Sequence, residues 1–366
     1  MNILIICNSA SGLEDFRGML ICELMKCANT IYATVPLTGS EKERISETRL
    51  EEAGCRLIRI PMERRGMNPF KDVKLLTAYF KTVQVLSPDL VITYTIKPNI
   101  YGGLAARLAG IPYAVNITGL GTAFQKDGLL KKFVTALYKP ALKRAGTVFF
   151  ENAENRQIFL DAGIVREAQA CLLHGAGVNL AHYTVTEYPE GDTVRFLFIG
   201  RVMKEKGIDQ LFAAMRMLRK DGIPCCLEVL GGFDEDYGAA MEACAREGWL
   251  TYRGYQQDVR PFIAAAHCFV LPSWHEGMAN TNLECAASGR PVITSRIHGC
   301  LEAVEDGVTG FLCEKKDAES LYRAMKRFSG LSYDDRRAMG LAGRKRMEAL
   351  FDRKQVVKDT IARLMK

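Results

Sequence analysis

The feature that most constrains the fold of this chain is an alternation of short apolar runs with helix-length amphipathic segments, and this alternation occurs twice. Strands that alternate with helices predict a parallel sheet with right-handed crossover connections. The fold class is therefore α/β, with two doubly wound parallel sheets in tandem. The predicted strands are residues 2–6, 30–35, 55–60, 90–93, 113–117 and 147–150 in the first series, and 194–199, 226–230, 250–252, 268–271 and 292–294 in the second.

The segment between the two series, TVTEYPEGDT at residues 184–193, shows no periodicity and is interpreted as a linker. It separates a predicted first domain, 1–183, from a second domain, 194–348. The remaining residues, 349–366, have the spacing of an amphipathic helix. A chain of 366 residues has the length of two domains of ordinary size.

Composition and charge exclude several classes of protein. A hydrophobic content of 48% is typical of a globular protein in water, and no apolar run approaches the roughly 20 residues of a membrane span. The 12 cysteines lack C-x-x-C or zinc-like spacing and the first residues lack a signal-peptide pattern, so reduced thiols in the cytoplasm are expected. The net charge of +7 allows an anionic partner, but no nucleic-acid reader motif is present, and nucleic acid is not expected.

A strand, a turn and a helix start are predicted within residues 272–291, PSWHEGMANTNLECAASGRP. The unpaired backbone N–H groups of such a turn suit an anion or a sugar hydroxyl network. If the segment between Glu276 and Glu284 is helical, the two residues are about 12 Å apart along the axis and about 80° apart around it. A carboxylate pair flanking one glycosidic bond needs about 5–9.5 Å. The two glutamates are therefore interpreted as holding the two ends of a long ligand.

A second basic motif, GRVMKEKG at residues 200–207, follows the predicted strand 194–199 directly. Arg201 offers a guanidinium fork for phosphate oxygens and Lys206 a point charge, so the loop suits a diphosphate. The alternative is an exposed basic turn that caps the next helix. The occurrence of the motif 200–207 in the same domain as Glu276 and Glu284 favours the diphosphate site over this alternative.

Together these two motifs resemble the retaining GT-B glycosyltransferases of family 4, also called glycosyltransferase group 1. The resemblance covers nearly the whole chain. It implies two Rossmann-like domains facing across a cleft, with the carboxyl-terminal helix packing back on the first domain. It also implies a UDP-sugar donor, transfer with retention of configuration, and no metal or further cofactor.

The same resemblance assigns roles by position. Arg201 and Lys206 are implied to bind the donor diphosphate and, with Glu276, to be the catalytic residues. Glu276 and the backbone amides after it are implied to hold the donor sugar, and Glu284 the ribose. The donor-binding residues on this assignment are Gly12, Gly200, Arg201, Lys206, Glu276, Gly277, Met278, Ala279, Asn280 and Glu284.

Two stretches of the first domain, TYTIKPNIY at 93–101 and VNITGLGTAF at 115–124, resemble a subgroup that acts on polyprenyl-diphosphate-linked sugars. The Gly119–Leu120–Gly121 turn lets the backbone approach a ligand closely, although an ordinary tight turn is the alternative. Many members of the family carry a histidine near this turn that touches the donor sugar, whereas Thr118 stands here, so that role is unassigned. The acceptor-side residues are predicted to be Lys97, Asn99, Thr118, Gly119 and Gly121.

The loop NSASG at residues 8–12 is not a G-x-G-x-x-G dinucleotide fingerprint. The resemblance implies that it lines the cleft, where Gly12 approaches the donor phosphates, and a helix is expected from about residue 16. Arg17 is either part of that site or a surface residue.

Residues 128–146 form a basic amphipathic pattern that Pro140 is expected to kink or break. Such a helix fits an anionic membrane surface. The alternative is a solvated basic face over a core stripe. A lipid-linked acceptor favours membrane association, at the inner face of the cell membrane. The basic residues concerned are Lys131, Lys132, Lys139, Lys143 and Arg144.

The histidines show no metal-ligand spacing, and no metal site is predicted. His275 either touches the donor or packs beside Glu276. The acidic run 234–236 is interpreted as capping a helix, because acidic side chains favour a helix amino terminus.

The predicted activity is transfer of a hexose, with N-acetylhexosamine favoured, from a UDP-sugar to a polyprenyl-diphosphate-linked saccharide in bacterial surface polysaccharide or glycoprotein glycan synthesis. One alternative is a GT-B enzyme with a soluble acceptor, or a UDP-sugar 2-epimerase. Another is a non-catalytic sugar-nucleotide-binding module, which the intact set Arg201, Lys206, Glu276 and Glu284 disfavours.

Overall fold

Each half of the chain folds around a parallel sheet in the computed structural model, which describes residues 1–37, 40–63, 66, 68–121, 124 and 128–365. One unit comprises Met1–Ala176 with Lys354–Lys366, and the other comprises Gly177–Arg353. The predicted α/β class with two doubly wound parallel sheets is confirmed.

The first unit contains strands β1 to β7 and helices α1 to α6. The strands are Asn2–Ile6, Thr30–Pro36, Arg56–Ile60, Leu90–Tyr94, Tyr113–Ile117, Thr147–Phe150 and Ala170–Leu172. The helices are Ala10–Met25, Glu41–Glu52, Pro69–Leu86, Gly103–Ala109, Leu129–Leu142 and Ala153–Asp161, with a π-helical turn at Pro98–Gly102 and a 3₁₀ turn at Glu167–Gln169.

The second unit contains strands β8 to β13 and helices α7 to α12. The strands are Val194–Ile199, Cys225–Leu230, Leu250–Gly254, Cys268–Leu271, Val292–Ser295 and Gly310–Cys313. The helices are Ile208–Lys220, Gly238–Arg246, Arg260–Ala265, Asn280–Ala287, Ala318–Ser329 and Tyr333–Leu350, with 3₁₀ turns at Lys204–Lys206 and Leu301–Ala303. Helix α13, Arg353–Leu364, follows.

In each sheet the strand order reverses once. The order in the first unit is β3-β2-β1-β4-β5-β6-β7, and in the second it is β10-β9-β8-β11-β12-β13. All of these neighbours pair in parallel; Ile3 of β1, for example, pairs with Ile31 on one side and Leu90 on the other. The reversal points, between β1 and β4 and between β8 and β11, are where open α/β sheets bind ligands.

The strands form because their apolar runs are buried on both faces by helices, as parallel sheets require. Residues 3–6 of β1 are fully buried, and Phe196, Phe198 and Phe269 lie in the core of the second unit. Val357 of α13 packs on the β1–β4 side of the first unit, and Ile361 and Leu364 contact the same cluster.

Two edge strands, β7 and β13, were not among the predicted strands. Both are short, and β7 is partly exposed. They exist because they pair with β6 and β12, and residue periodicity does not show such pairing. In β13 the pairing is close: a Cβ on Gly310 would lie 1.9 Å from the carbonyl oxygen of Val292.

The predicted loop at residues 8–12 is wrong for 10–12, because α1 already begins at Ala10. Ser9 caps the helix by accepting a hydrogen bond from the Gly12 amide. The expected break at Pro140 is also wrong, since α5 runs through it and ends at Leu142. The segment 349–366 contains the end of α12 and then α13, rather than one continuous helix.

Residues 186–188, within the segment 184–193, are hydrogen-bonded to distant groups of the second unit. The Arg290 guanidinium, 1% exposed, donates to the carbonyl oxygens of Thr186 and Glu187. The hydroxyl of Tyr188 donates to the carbonyl oxygen of His267. These contacts join residues far apart in sequence, and therefore a lack of local periodicity does not reveal them.

Candidate functional site

The loops that follow β8 and β11 meet at the reversal point of the second sheet. Gly207, at the end of the loop 200–207, has φ +75° and lies so close to Pro272 that a Cβ would be 2.1 Å from its carbonyl oxygen. The Trp274 amide donates to the carbonyl oxygen of Glu205 at 2.9 Å. Only glycine fits at position 207, and its contact sets the two loops side by side.

This contact brings Lys206 and Glu276 together. The Lys206 ammonium forms an ion pair with Glu276 Oε1, and both side chains are largely buried. The hydroxyl of Ser273 donates to the same carboxylate oxygen at 2.8 Å. Two donors therefore fix the orientation of the Glu276 carboxylate through its Oε1 atom.

Arg201 lies on the same loop, near its start. Its side chain is 55% exposed, and Nη1 donates to Asp234 Oδ2 at 2.7 Å. The predicted capping role of the acidic run 234–236 is wrong for its first two members. Asp234 accepts from Arg201, and Glu235 accepts from the Lys204 amide at 2.8 Å, because β9 returns next to β8 and its loop lies against the loop 200–207.

The stretch between the two glutamates is not helical throughout, because α10 begins only at Asn280. Glu276 therefore lies in the loop before the helix and Glu284 on the helix itself, so the 12 Å estimate for a continuous helix does not apply. The hydroxyl of Tyr183 donates to Glu284, and burial raises the pKa of Tyr183 well above its ordinary value.

The backbone after Glu276 is held by a loop that the sequence did not single out. Gly299, with φ +88°, packs so closely that a Cβ would be 2.7 Å from the carbonyl oxygens of Glu276 and Gly277. The carbonyl oxygen of Gly299 accepts the Ala279 amide at 2.7 Å, so that amide is already engaged. Met278 and Ala279 are buried in the core, so their side chains are not available to a donor, and the Ala279 amide is not available either.

Two histidines lie beside this loop. His275 Nε2 is 3.5 Å from Glu205 Oε2. His298 Nδ1 is 2.8 Å from Glu302 Oε1, and the other oxygen of Glu302 accepts the Gly299 amide at 2.7 Å. Sequence reasoning missed Ser273, His298 and Glu302, because their contacts with the site follow from the packing of separate loops.

A pocket of about 240 Å³ lies at the reversal point of the first sheet, where β1, β4 and β5 end. Four of the predicted acceptor-side residues line it, together with four that were not predicted. The predicted ones are Lys97, Thr118, Gly119 and Gly121, and the others are Asn8, Met62, Thr95 and Ile96. Thr122 and Ala123, from the same sequence motif, are outside the described residues.

Thr95 is the unusual residue in this pocket. It has φ +73°, which is uncommon for a β-branched residue, and its hydroxyl oxygen is buried with no hydrogen-bond partner among the described residues. Lys97 Nζ forms an ion pair with Asp72 at 2.8 Å. Backbone strain and an unsatisfied polar group together are features of ligand sites.

Asn99 is not among the residues that line the pocket. It is 1% exposed, accepts a hydrogen bond from Thr93 Oγ1 at 2.8 Å, and donates to the carbonyl oxygen of Asn116 at 2.7 Å. Asn99 thus joins the ends of β4 and β5. Its side-chain amide is used in these two hydrogen bonds, and no contact between it and the pocket is described.

The amino terminus of α1 is occupied by a carboxylate of the chain itself. Glu43 accepts hydrogen bonds from the Ala10 amide at 2.6 Å and from the hydroxyls of Ser9 and Ser11 at 2.7 and 2.9 Å. Because the Gly12 amide donates to Ser9, the amides of this helix end are largely engaged. The donor role of Gly12 stays a prediction.

Arg17 is buried rather than exposed, so the surface alternative is wrong. It is 9% exposed, and its Nη2 donates to Glu151 Oε1 at 2.6 Å. Burial raises the pKa of Glu151 even though Arg17 opposes that shift.

Helix α5 has a basic, apolar and exposed first half. Leu129 and Phe133 are 86% and 52% exposed, while Val134 and Tyr138 face the core. Lys132, Lys139, Lys143 and Arg144 are exposed, and Lys131 is partly exposed. In the part of the chain that the structure describes, no helix is long and apolar enough to cross a bilayer, and no group of three side chains could hold a metal ion.

Two doubly wound parallel-sheet units, the second with a Lys206–Glu276 ion pair and Arg201 on the loops at its strand reversal, have the architecture of the GT-B class of glycosyltransferases. Residues 193–329 match the family described as glycosyl transferases group 1, and residues 30–175 match the glycosyl transferase 4-like domain. The chain belongs to this family of glycosyltransferases, and the predicted family is confirmed.

Two relatives each match most of the chain. An N,N'-diacetylbacillosaminyl-diphospho-undecaprenol alpha-1,3-N-acetylgalactosaminyltransferase of Campylobacter jejuni is 26% identical over 96% of this chain and 94% of its own length. A UDP-Gal:alpha-D-GlcNAc-diphosphoundecaprenol alpha-1,3-galactosyltransferase of Escherichia coli is 28% identical over 73% of each chain. The crystal structure of Anabaena HepE in complex with UDP and glucose shares the fold, with a TM-score of 0.81 at 16% identity, over 100% of this chain and 99% of that one.

Proposed function

We propose that the protein transfers an N-acetylhexosamine from a UDP-sugar to a polyprenyl-diphosphate-linked saccharide, with retention of configuration, in the synthesis of a bacterial surface or glycoprotein glycan. The observation that carries the proposal is the Lys206–Glu276–Ser273 cluster, with Arg201 on the same loop, at the reversal point of the second sheet. The names of the Campylobacter and Escherichia relatives support the lipid-linked acceptor, and the first of them supports the N-acetylhexosamine.

In the proposed reaction the bond between the sugar C1 and the β-phosphate oxygen of UDP breaks, and a bond between C1 and an acceptor hydroxyl oxygen forms on the same face. Negative charge develops on the leaving diphosphate. Arg201 and Lys206 stabilise that charge electrostatically, so the protein itself supplies the cations and no metal is expected. The acceptor proton passes to the leaving phosphate.

Glu276 orients the donor sugar in this proposal. Lys206 and Ser273 hold one of its oxygens, and the other accepts a sugar hydroxyl. Glu284, on α10, binds the ribose hydroxyls. The structure keeps both carboxylates near cations or hydroxyls before the donor arrives, which reduces the reorganisation that binding requires.

The acceptor is proposed to bind the pocket of the first unit. Lys97 supplies a positive charge for the acceptor diphosphate, and the Gly119–Leu120–Gly121 turn allows close backbone approach. The exposed basic and apolar residues of α5 are proposed to bind the inner face of the cell membrane from the cytoplasm, with Leu129 and Phe133 inserted at the headgroup level.

The test is incubation of the protein with a panel of UDP- and GDP-sugars, with and without polyprenyl-diphosphate-linked saccharides extracted from bacterial membranes, with nucleotide release as the readout. Release of UDP from one sugar, dependent on the lipid, is the expected result. Release without lipid would instead favour a soluble acceptor or an epimerase. Binding of UDP without release under any condition would favour a non-catalytic module.

A further inference from the structure

The loop 231–236, which follows β9, is bound to the loop 200–207 through its backbone. The Val202 amide donates to the carbonyl oxygen of Gly232 at 2.9 Å, and the Asp234 amide donates to the carbonyl oxygen of Val202 at 3.1 Å. The approach is closest at Gly231, which has φ +134° and where a Cβ would lie 1.9 Å from the carbonyl oxygen of Gly200. The two loops are therefore one packed structure.

Two side chains of the loop 231–236 add to this contact, and one of them binds Arg201, the residue proposed to hold the donor diphosphate. Asp234 Oδ2 accepts from Arg201 Nη1 at 2.7 Å, and Glu235 Oε2 accepts from the Lys204 amide at 2.8 Å. The Arg201 side chain is 55% exposed, so little packing restrains its rotamers. Among the contacts that the structure describes, the ion pair with Asp234 is the one that restrains the Arg201 side chain.

A guanidinium has five N–H donors in a planar fork, and Asp234 engages the Nη1 end. Nε and Nη2 have no partner among the described residues and are available to phosphate oxygens. An arginine held in one orientation loses less rotamer freedom when it binds a diphosphate, and so binds it more tightly.

We propose that Asp234 is a positioning residue that holds Arg201 in the orientation that binds the donor diphosphate. This inference rests on the proposed function. Asp234 acts through Arg201 and does not itself touch the donor, because a carboxylate would repel the diphosphate. Its contribution therefore disappears when Arg201 is removed.

The test is a double-mutant cycle with UDP as the probe, read by calorimetry on the full chain. The variants are Asp234→Ala, Arg201→Ala and the two combined. We expect Asp234→Ala to weaken UDP binding about tenfold in the otherwise unchanged protein and less than about twofold in the Arg201→Ala background. Asp234→Asn, which keeps an oxygen acceptor, should recover most of the lost affinity, and Asp234→Leu, of similar size but without an acceptor, replaces the alanine variant if that one folds poorly.

The matched control is Glu228→Ala, from a surface ion pair of the same unit. The side chains of Glu228 and Asp234 are 25% and 24% exposed. Arg253 Nε lies 2.6 Å from Glu228 Oε1, and the Arg253 side chain is 50% exposed, close to the 55% of Arg201. This control should leave UDP affinity unchanged.

An unchanged UDP affinity in Asp234→Ala, or an equal loss with and without Arg201, would overturn the inference, since an equal loss indicates general damage to the loop. Failure of the unsubstituted protein to bind UDP is a separate result. It would overturn the proposed function, and the inference would fall with it.

Discussion

The two reversal points of this molecule differ in the polar groups they carry. In the second unit, Lys206 pairs with Glu276 and Arg201 pairs with Asp234, while the buried side-chain oxygen of Asn280 has no partner among the described residues. In the pocket of the first unit, Lys97 is paired with Asp72, but Thr95 combines a strained backbone with a buried hydroxyl that lacks a partner among the described residues.

This difference separates two ways of building a site. A set of mutually paired charges is ready for a diphosphate, a group common to all nucleotide sugars. An unsatisfied hydroxyl gains a hydrogen bond only from a ligand that places a matching group against it. We therefore expect the second unit to supply the rate enhancement, and the pocket of the first unit to select the acceptor.

The largest expected effect is that of Lys206→Ala. Because Lys206 stabilises charge that develops on the leaving diphosphate, kcat should fall about 100-fold or more, while UDP affinity changes by less than about threefold. Steady-state kinetics and calorimetry measure the two quantities. Lys204→Ala, an exposed lysine on the same loop, is the control and should change neither. Equal losses of kcat and affinity would contradict a role in the transition state.

The next effect concerns the stability of the fold. It tests the contact between Gly207 and Pro272, which brings Lys206 and Glu276 together. In Gly207→Ala the new Cβ would lie 2.1 Å from the Pro272 carbonyl oxygen at φ +75°, and unfolding should become easier by about 3 kcal/mol. Gly222→Ala has the same φ, +74°, but no atom within 4 Å, so it isolates the backbone strain, about 1 kcal/mol. Urea unfolding of both variants measures the difference, and equal losses would show that the loops separate freely.

Glu284→Ala should weaken UDP binding about tenfold with little change in kcat, since ribose contacts are the same in the ground and transition states. Calorimetry with UDP and kinetics at saturating donor separate the two effects. Glu242→Ala, an exposed glutamate on α8, is the control. A fall in kcat at unchanged UDP affinity would contradict the assignment of Glu284 to the ribose.

Lys97→Ala tests the other side of the comparison. It should raise the KM for the lipid-linked acceptor about fivefold and leave UDP affinity unchanged, because the pocket belongs to the first unit. Lys74→Ala, on the exposed face of α3, is the control. Loss of UDP affinity in Lys97→Ala would remove the distinction between the two reversal points.

The last effect is expected at the basic face of α5 and concerns membrane binding rather than catalysis. Replacing Lys132 and Lys143 by alanine should weaken binding to vesicles of anionic phospholipid by about 1–2 kcal/mol in total, and less at high salt. The matched double variant of Lys345 and Lys358, exposed on α12 and α13, should bind like the unsubstituted protein. Vesicle sedimentation measures both, and equal weakening would indicate only a general effect of net charge.

Much of the fold could be predicted from local patterns. The strands at 2–6, 113–117, 147–150, 194–199 and 268–271 have the bounds that their apolar runs predicted, because strands buried on both faces need uninterrupted apolar sequence. Helix α1 was placed too late, since its first turn, Ala10–Leu13, is stabilised by Ser9 and by Glu43 from another helix. The 184–193 segment showed no pattern because Arg290 and other distant groups hold it.

The sequence by itself determined which loops carry the chemistry. Arg201, Lys206 and Glu276 lie in the loops that follow apolar runs, and the carboxyl ends of parallel strands meet at one edge of a sheet. Only the tertiary structure decided which loops are neighbours, and it brought in Asp234, Gly299 and Thr95. The physical reason is that periodicity along the chain encodes which faces are buried, whereas strand order and close backbone packing depend on contacts between residues far apart in sequence.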